Sequence, residues 1–426
     1  MTKEVCTRRH AGVCLLLILI ASSATAAADW PEFRGPDRDG KSSETELLDH
    51  WGTAGPRHVW TVDGLGEGWS SAAIRGRDVY TTGMHERKEF LFAIDDAGRL
   101  RWKKEYGSAW RRSFPGARTT PTLDDGRVYV ISGSGEVVCL DGRSGRIAWK
   151  VDGIEKFKGR TGNWGTAESP LVDGGKIYYT PCGPQTTIVA LDKKTGETVW
   201  ASRSLNDQSA YVSPIVADHN GRKLILTVTG RYVIGVDAGT GRILWNYPYA
   251  ENHPTAESEN RLHINAVSPL YHEGCVFATS GYDHVAVMLQ LSPDGDTVQP
   301  RWVNEAFDCH HGGVVLVDGH IYGTNWQSNT RGDWLCVDWQ TGGTVYEQSW
   351  QGNKGPMVFA DGMLYCYDEN EGDVALVKAS PEGFQPVSTF EVTLGKGKHW
   401  AHPSIAGGRL YLRHGEFLMA YDIEGE

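Results

Sequence analysis

Eight cysteines occur in the 426 residues, at positions 6, 14, 139, 182, 275, 309, 336 and 366, and no two of them stand adjacent or as Cys-x-x-Cys. That spacing excludes zinc-ribbon and thioredoxin-type centres and a c-type haem attachment. The chain also lacks HExxH, a phosphate-binding Walker loop and GxSxG. Zincin, nucleotide-binding and α/β-hydrolase readings therefore have no motif behind them. Positive charge is in deficit: 42 Lys and Arg face 53 Asp and Glu, for a net −11. Such a balance gives no electrostatic footprint for nucleic acid. Past the N-terminus no apolar run reaches the roughly 20 residues of a transmembrane helix.

What is plentiful is glycine (52) and tryptophan (16). Glycine marks turns and tryptophan is a large buried anchor, so together they point to many short strands. The first 28 residues read as a signal peptide. Lys3, Arg8 and Arg9 precede the apolar stretch "AGVCLLLILIA" (11–21), and "SSATAAAD" (22–29) offers small-residue cleavage sites after Ala26 or Ala28. Removal takes the net charge from −11 to about −13. An exported protein, periplasmic or secreted, is the expectation. The six later cysteines lie in runs such as "VVCLD" and "LYCYD". Cysteine in such a position is a small buried hydrophobe, so free core thiols are expected.

An internal repeat decides the fold. One unit, "AESPLVDGGKIYYTPCGPQTTIVALDKKTGETVW" (167–200), parses into four short strands separated by Gly-Gly, Gly-Pro and Asp-x-x-Thr-Gly turns. The turn recurs as "LDGRSGRIAW" (140–149), "VDAGTGRILW" (236–245) and "VDWQTGGTVY" (337–346). The closing aromatics fall at Trp102, Trp149, Trp200, Trp245, Trp302, Tyr346 and Phe390, 44 to 57 residues apart. That is the length of a four-stranded propeller blade. The last unit stops after three strands, while "RHVWTVDG" (57–64) is an orphan strand carrying Trp60. The expected fold is all-β: an eight-bladed propeller over 57–426, closed by the N-terminal strand completing the C-terminal blade. Residues 29–56 form an N-terminal extension, and its polar, Gly-rich linker 34–56 is expected to run along the outside of the ring with Trp30 and Phe33 docked on it.

The "SPLVDGGKIYY…ALDKKTGETVW" units resemble PQQ-like β-propeller repeats. These occur in quinoprotein alcohol dehydrogenases and in the outer-membrane assembly lipoprotein of the Bam complex. "WPEFRGPDRDGKS" (30–42) and "HPSIAGGRLYLRHGEFLMAYDI" (402–423) resemble the ends of exported propellers of planctomycete-type bacteria. The fold hosts unrelated activities, so the resemblance speaks to fold more than to function.

Aligning the blades on their Ser-Pro position places one set of residues at the channel mouth: Trp69, Arg118, Glu168, Tyr211, Asn265, Asp308, His310, His311, Lys354, Trp400 and His402. A regular repeat with such varied polar residues suggests a binding surface. Glu168, Asn265 and Asp308 make a donor set suited to Ca²⁺. The resemblance implies a matching role: Glu and Asn on Ca²⁺, and Asp308 as general base beside PQQ. Trp164, in "GNWGTAES" (162–169), would then be a stacking surface, with Arg118 and Lys354 also placed against the cofactor. The adjacent cysteine pair and the capping insertions of those dehydrogenases are absent here. His310, His311 and His402 offer a second metal idea with Asp308, weakened because adjacent strand residues point to opposite faces. The segment 249–265 is the longest insertion, a candidate binding loop over the mouth. Two readings stand: an exported non-enzymatic propeller binding a protein or extended ligand at its mouth and loops, or a PQQ- and Ca²⁺-dependent alcohol dehydrogenase. A third takes Trp69 and Trp400 as platforms for a sugar or polymer.

Overall fold

The computed structural model describes residues 1–2, 28–252 and 264–425. Nearly all of the expected signal peptide and most of the 249–265 insertion lie outside the described residues. Eight four-stranded antiparallel sheets follow one another along the chain. Blade 3 shows the sequence parse directly, with strands Leu171–Asp173, Lys176–Tyr179, Val189–Asp192 and Thr198–Ala201. The orphan strand Arg57–Val62 pairs antiparallel with Phe417–Asp422 and completes blade 8. The ring is thus closed within one sheet shared by the two ends of the propeller, as expected. Among the described residues helix is limited to one turn at Gly153–Phe157, capped by the Asp152 side chain, and a 3₁₀ turn at Ala250–Asn252. No helix among the described residues is long and apolar enough to cross a membrane.

The core lies between blades. Tyr80 and Leu91 of blade 1 pack with Val128 and Leu140 of blade 2, and the same pattern continues round the ring. The six described cysteines are free and buried, as expected.

The recurrent turn has a double task. Its Asp side chain accepts from backbone N–H groups two and three residues on, as Asp192 does from Lys194 and Thr195 at 2.8 and 2.9 Å. This is Asx-turn chemistry. The turn then receives the closing tryptophan of the preceding blade. Trp102 Nε1–H donates to Gly142 O, Trp149 to Lys193 O, Trp200 to Ala238 O and Trp302 to Trp339 O. Trp245 is the exception. The next blade turns through Ser292–Thr297 instead, and the Trp245 Nε1–H meets no acceptor. The turn glycine is obligatory for two reasons. Gly241 has φ +76°, and a Cβ there would meet Trp200 Cε3 at 2.4 Å. Gly241→Ala is expected to lower stability by about 2–4 kcal/mol, from left-handed strain and displacement of the indole. Gly239→Ala, two residues away in the same turn, would meet only Asp237 Oδ1 at 3.3 Å and is the control. Equal urea midpoints for the two variants would refute this account of the turn.

Only the later part of the extension reaches the outer strands, where Trp51 N–H donates to Ser388 Oγ and its ring packs on Phe390. Residues 29–42 form a plug inside the central channel, and the expectation is corrected on this point. Trp30, fully buried, exchanges backbone bonds with Ile74 of the innermost strand of blade 1. Pro31 O accepts from Leu123 N–H in blade 2. The chain turns through 33–38 and returns beside the innermost strand of blade 7, where Phe359 N–H donates to Gly40 O and Ser42 N–H to Phe359 O, both at 2.8 Å. Asp29 and Glu44 accept from Gly76 and from Gly407 and Gly408, in turns at the end of the channel opposite the mouth. The plug is therefore a hairpin inserted from that far end, its tip beneath the mouth.

Two arginines bolt the tip. Arg38 donates to the carbonyls of Ser169, Pro170 and Pro214, to Thr122 Oγ1 and to the Glu32 carboxylate. Arg34 donates to Val314 O, Met357 O, Asp39 O and His402 Nδ1. Between them they tie blades 2, 3 and 4 to blades 6, 7 and 8. A polar channel lined by strand-end carbonyls needs donors, and guanidinium carries five. Gly40 leaves the room: a Cβ there would meet Arg34 Nη2 at 2.2 Å.

Candidate binding site at the channel mouth

Each innermost strand begins one residue after the expected Ser/Thr/His–Pro position in blades 2 to 5 and 8, as at Thr122, Leu171 and Ser404. The residues preceding these prolines consequently converge. A cavity of about 430 Å³ opens there, and Trp69, Arg118, Trp164 and Tyr211 line it with His310, His311, Trp400 and His402. These eight expected residues are brought together. Glu168, Asn265, Asp308 and Lys354 are not among its lining, although Ala167 and Ala266 are.

The wall is a run of rings in contact. Trp69 lies 5.0 Å from Trp400 between centroids, Phe114 5.5 Å from Trp400, and His311 5.2 Å from Trp400. His310 continues the run to Tyr282 at 4.7 Å. On the other side Trp164 meets Tyr211 edge-on at 5.6 Å. Arg118 stacks over Trp69 at 5.4 Å and is braced by the carbonyls of Ser113, Phe114 and Gly116. The plug supplies the floor, with Phe33 packed edge-on to His402 at 4.9 Å. Arg118 and Lys398 are the fixed charges of this lining, and both are positive. In a chain of net charge −11 that is a local reversal of sign.

His310 and His311 do not point to opposite faces. They precede the innermost strand of blade 6, which starts at Val315, so strand alternation does not govern them, and their rings pack at 4.6 Å. Neither they nor His402 forms a metal cluster; none exists among the described residues. His402 Nδ1 accepts from Arg34, so Nε2 carries the proton and donates to His311 O at 2.9 Å. Burial, then the Arg34 cation, hold His402 well below the ordinary histidine pKa. His311 faces Glu369 Oε2 at 3.3 Å, and burial, then the Lys354 cation, push it down to about 3. Both rings are neutral at pH 7. Because the unfolded histidines charge below about pH 6.5 and the folded ones do not, stability is expected to fall as pH drops from 6.5 towards 4. His402→Gln should shrink that fall, read as urea midpoints at pH 7 and 5; an unchanged fall would refute the assignment.

The proposed Ca²⁺ and PQQ donors are engaged elsewhere. Both Glu168 oxygens accept from Thr180 N–H, at 3.2 and 3.1 Å, and burial raises this carboxyl to about 8. Asn265 Nδ2 donates to Thr229 O and Gly230 O, leaving Oδ1 buried without a partner. Asp308 accepts from Asp283 N–H and Trp326 N–H, and burial raises it to about 7. Each of the three ties neighbouring backbone, and one free amide oxygen does not make the oxygen shell a Ca²⁺ ion takes. The set does not fit the metal, and no step through Ca²⁺ or PQQ is derived. Lys354 is 2% exposed and bonded to Glu369, itself 1% exposed, behind the wall rather than in it.

Phe33, Phe114, Tyr282 and Lys398 were not foreseen at the mouth. All come from the plug or from loops outside the innermost strands, whose reach no repeat position encodes.

The repeat architecture is that of a PQQ-like β-propeller. Residues 87–348 match the family described as outer membrane protein assembly factor BamB, and the chain belongs to that family. The chain is similar to quinohemoprotein alcohol dehydrogenase ADH IIB of Pseudomonas putida, with 27% identity over 37% of this chain and 24% of that protein. It is also similar to BamB of Kangiella koreensis, with 23% identity over 51% of this chain and 50% of that protein. The matches span half or less of these curated relatives' length. Among solved structures, BamB from Moraxella catarrhalis superposes with TM-score 0.64 at 15% identity, over 87% of this chain and all of that one. Quinohemoprotein alcohol dehydrogenase from Comamonas testosteroni gives 0.69 at 12%, over 95% and 82%. At these identities the superpositions speak to fold alone.

Proposed function

We propose that this chain is an exported, non-enzymatic binding module that captures a ligand or partner protein at the mouth of a closed channel. Residues 1–28 act as its signal peptide, residues 29–56 as an extension integral to the ring, and residues 57–426 as the propeller. The observation that carries the reading is the convergence of eight mouth residues from different blades on one aromatic, cationic cavity floored by the plug. A site of about 300–1,000 Å³ with a few placed polar groups has the dimensions of a ligand pocket. The likeness to BamB, a protein named for outer membrane assembly, supports an export-linked, partner-binding role.

The test uses 8-anilinonaphthalene-1-sulfonate, an aromatic anion matched to this lining. One site per chain is expected, lost in Trp400→Ala and weakened several-fold in Lys398→Gln. Binding indifferent to both changes would overturn the mouth as the site. A parallel calorimetric titration with PQQ, with and without Ca²⁺, guards the other reading. Ca²⁺-dependent PQQ binding that vanishes in Glu168→Gln would replace the binding module with a dehydrogenase.

A further inference from the structure

The mouth cavity does not end at Trp69. On the far side of that indole lies a second cavity of about 740 Å³, and Trp69 lines both. Two other wall segments also run from one into the other. Phe114 lines the mouth and Pro115 the outer cavity; Lys398 lines the mouth and Lys396 and Gly397 the outer cavity. The two cavities thus share Trp69 as a wall, and the segments leading into blades 2 and 8 run from one to the other, so that together they make a bent cleft with Trp69 at its corner.

The two compartments differ in chemistry. The mouth offers ring faces and two cations. The outer compartment mixes Glu67, Glu86 and Glu416 with Arg111 and Lys396, all five exposed. A ligand that spans both must present flat apolar faces at the corner and an anionic group at the mouth. Further out it must hydrogen-bond with carboxylates and cations alike. A sugar chain does this: its ring faces stack on indole, and its hydroxyls both donate to carboxylates and accept from guanidinium and ammonium. An acidic peptide would satisfy the mouth but bring its carboxylates against Glu67, Glu86 and Glu416. Like-charge juxtaposition of that kind disfavours a partner. Residue Trp69 presents the shared stacking surface, and Arg118, laid over its ring, holds the indole in place.

We infer that the cleft binds an oligosaccharide carrying a single terminal uronate, with that carboxylate at Arg118 and Lys398 and the following neutral units passing over Trp69 into the outer compartment. This rests on the mouth being the binding site, and it adds the ligand class and the direction in which the chain runs.

The experiment is a calorimetric series on the full-length mature protein with glucuronate and with a disaccharide and a tetrasaccharide that each carry one terminal glucuronate on otherwise neutral sugars, beside poly-L-glutamate. The tetrasaccharide is expected to bind at least tenfold more tightly than the monosaccharide. Arg111→Gln and Glu86→Gln, both exposed and therefore safe for folding, should remove that gain and leave the monosaccharide unchanged. Lys398→Gln should weaken every length. Uronates that fail to bind while anilinonaphthalene sulfonate still occupies the mouth would overturn the sugar class and spare the mouth. Affinity independent of chain length, or a gain untouched by the outer variants, would overturn the extended cleft. Tighter binding of polyglutamate would assign the cleft to an acidic peptide. If neither the dye nor any uronate responds to the mouth variants, the mouth reading falls as well.

Discussion

Arg38→Leu is expected to lower the stability of the full chain by about 3–5 kcal/mol, the range for breaking a buried, hydrogen-bonded ion pair by removing one partner. The guanidinium is 2% exposed and spans blades 2, 3 and 4. Leucine fills part of the space but leaves the Glu32 carboxylate without its cation and the Ser169 and Pro214 carbonyls without the Arg38 donor, while Pro170 O keeps the Thr122 hydroxyl. Arg38→Lys should recover little, because an ammonium cannot reach acceptors arranged round a planar fork. Arg38→Leu with Glu32→Gln should recover part, since the stranded charge is gone. Urea unfolding followed by tryptophan fluorescence measures all three, and protease cleavage within 29–42 reports release of the plug. A change within about 0.5 kcal/mol for Arg38→Leu is the size of an ordinary surface substitution, and would show that the plug sits in the channel without holding it.

Lys354→Met should have an effect of similar size for a different reason. Lys354 and Glu369 are both almost fully buried, and Glu369 also faces His311 of the cavity wall. Removing the lysine leaves a buried carboxylate, at about 3–5 kcal/mol. The deficit has a pH signature. Burial already holds the Glu369 carboxyl above its ordinary value with the Lys354 cation beside it, and without that cation the folded pKa rises further above the unfolded value of about 4.3. The folded state then holds a proton the unfolded state releases, and stability falls as pH rises from there. The deficit should thus be larger at pH 8 than at pH 5. Lys354→Met with Glu369→Leu should recover most of the loss, because an apolar pair replaces an ionic one without an unpaired group. A deficit independent of pH, or no recovery in the double variant, would show that the pair is not the source.

The architecture was legible in the sequence to the level of single turns. Asp192, Thr195 and Gly196 announced their turn because an Asx-turn is made by residues two and three apart. Trp60 announced ring closure because an eighth closing aromatic had no blade of its own. The mouth was legible as a set of positions, since the repeat aligns the starts of the innermost strands, and seven of those eleven residues do meet in one cavity, joined by Trp164. The orientation of each was less so. Glu168, Asn265 and Asp308 occupy mouth positions yet turn onto backbone groups of nearby loops. A buried carboxyl or amide goes to whichever unpaired N–H or C=O lies nearest, and that is set by how blades abut.

The repeat determined by itself that this chain is a closed eight-bladed ring, because short-range turn chemistry and a fixed blade length leave one way to bury both faces of every sheet. Only the tertiary structure decided that residues 29–42 fill the channel. Arg34 and Arg38 read as part of a polar linker, for their acceptors are carbonyls up to 323 residues away, assembled at one place only when the ring closes. No local pattern encodes a partner that exists only after closure. The same holds for the cleft at Trp69, whose outer compartment is walled by loops from opposite ends of the chain and whose mouth gathers residues from Phe33 to His402.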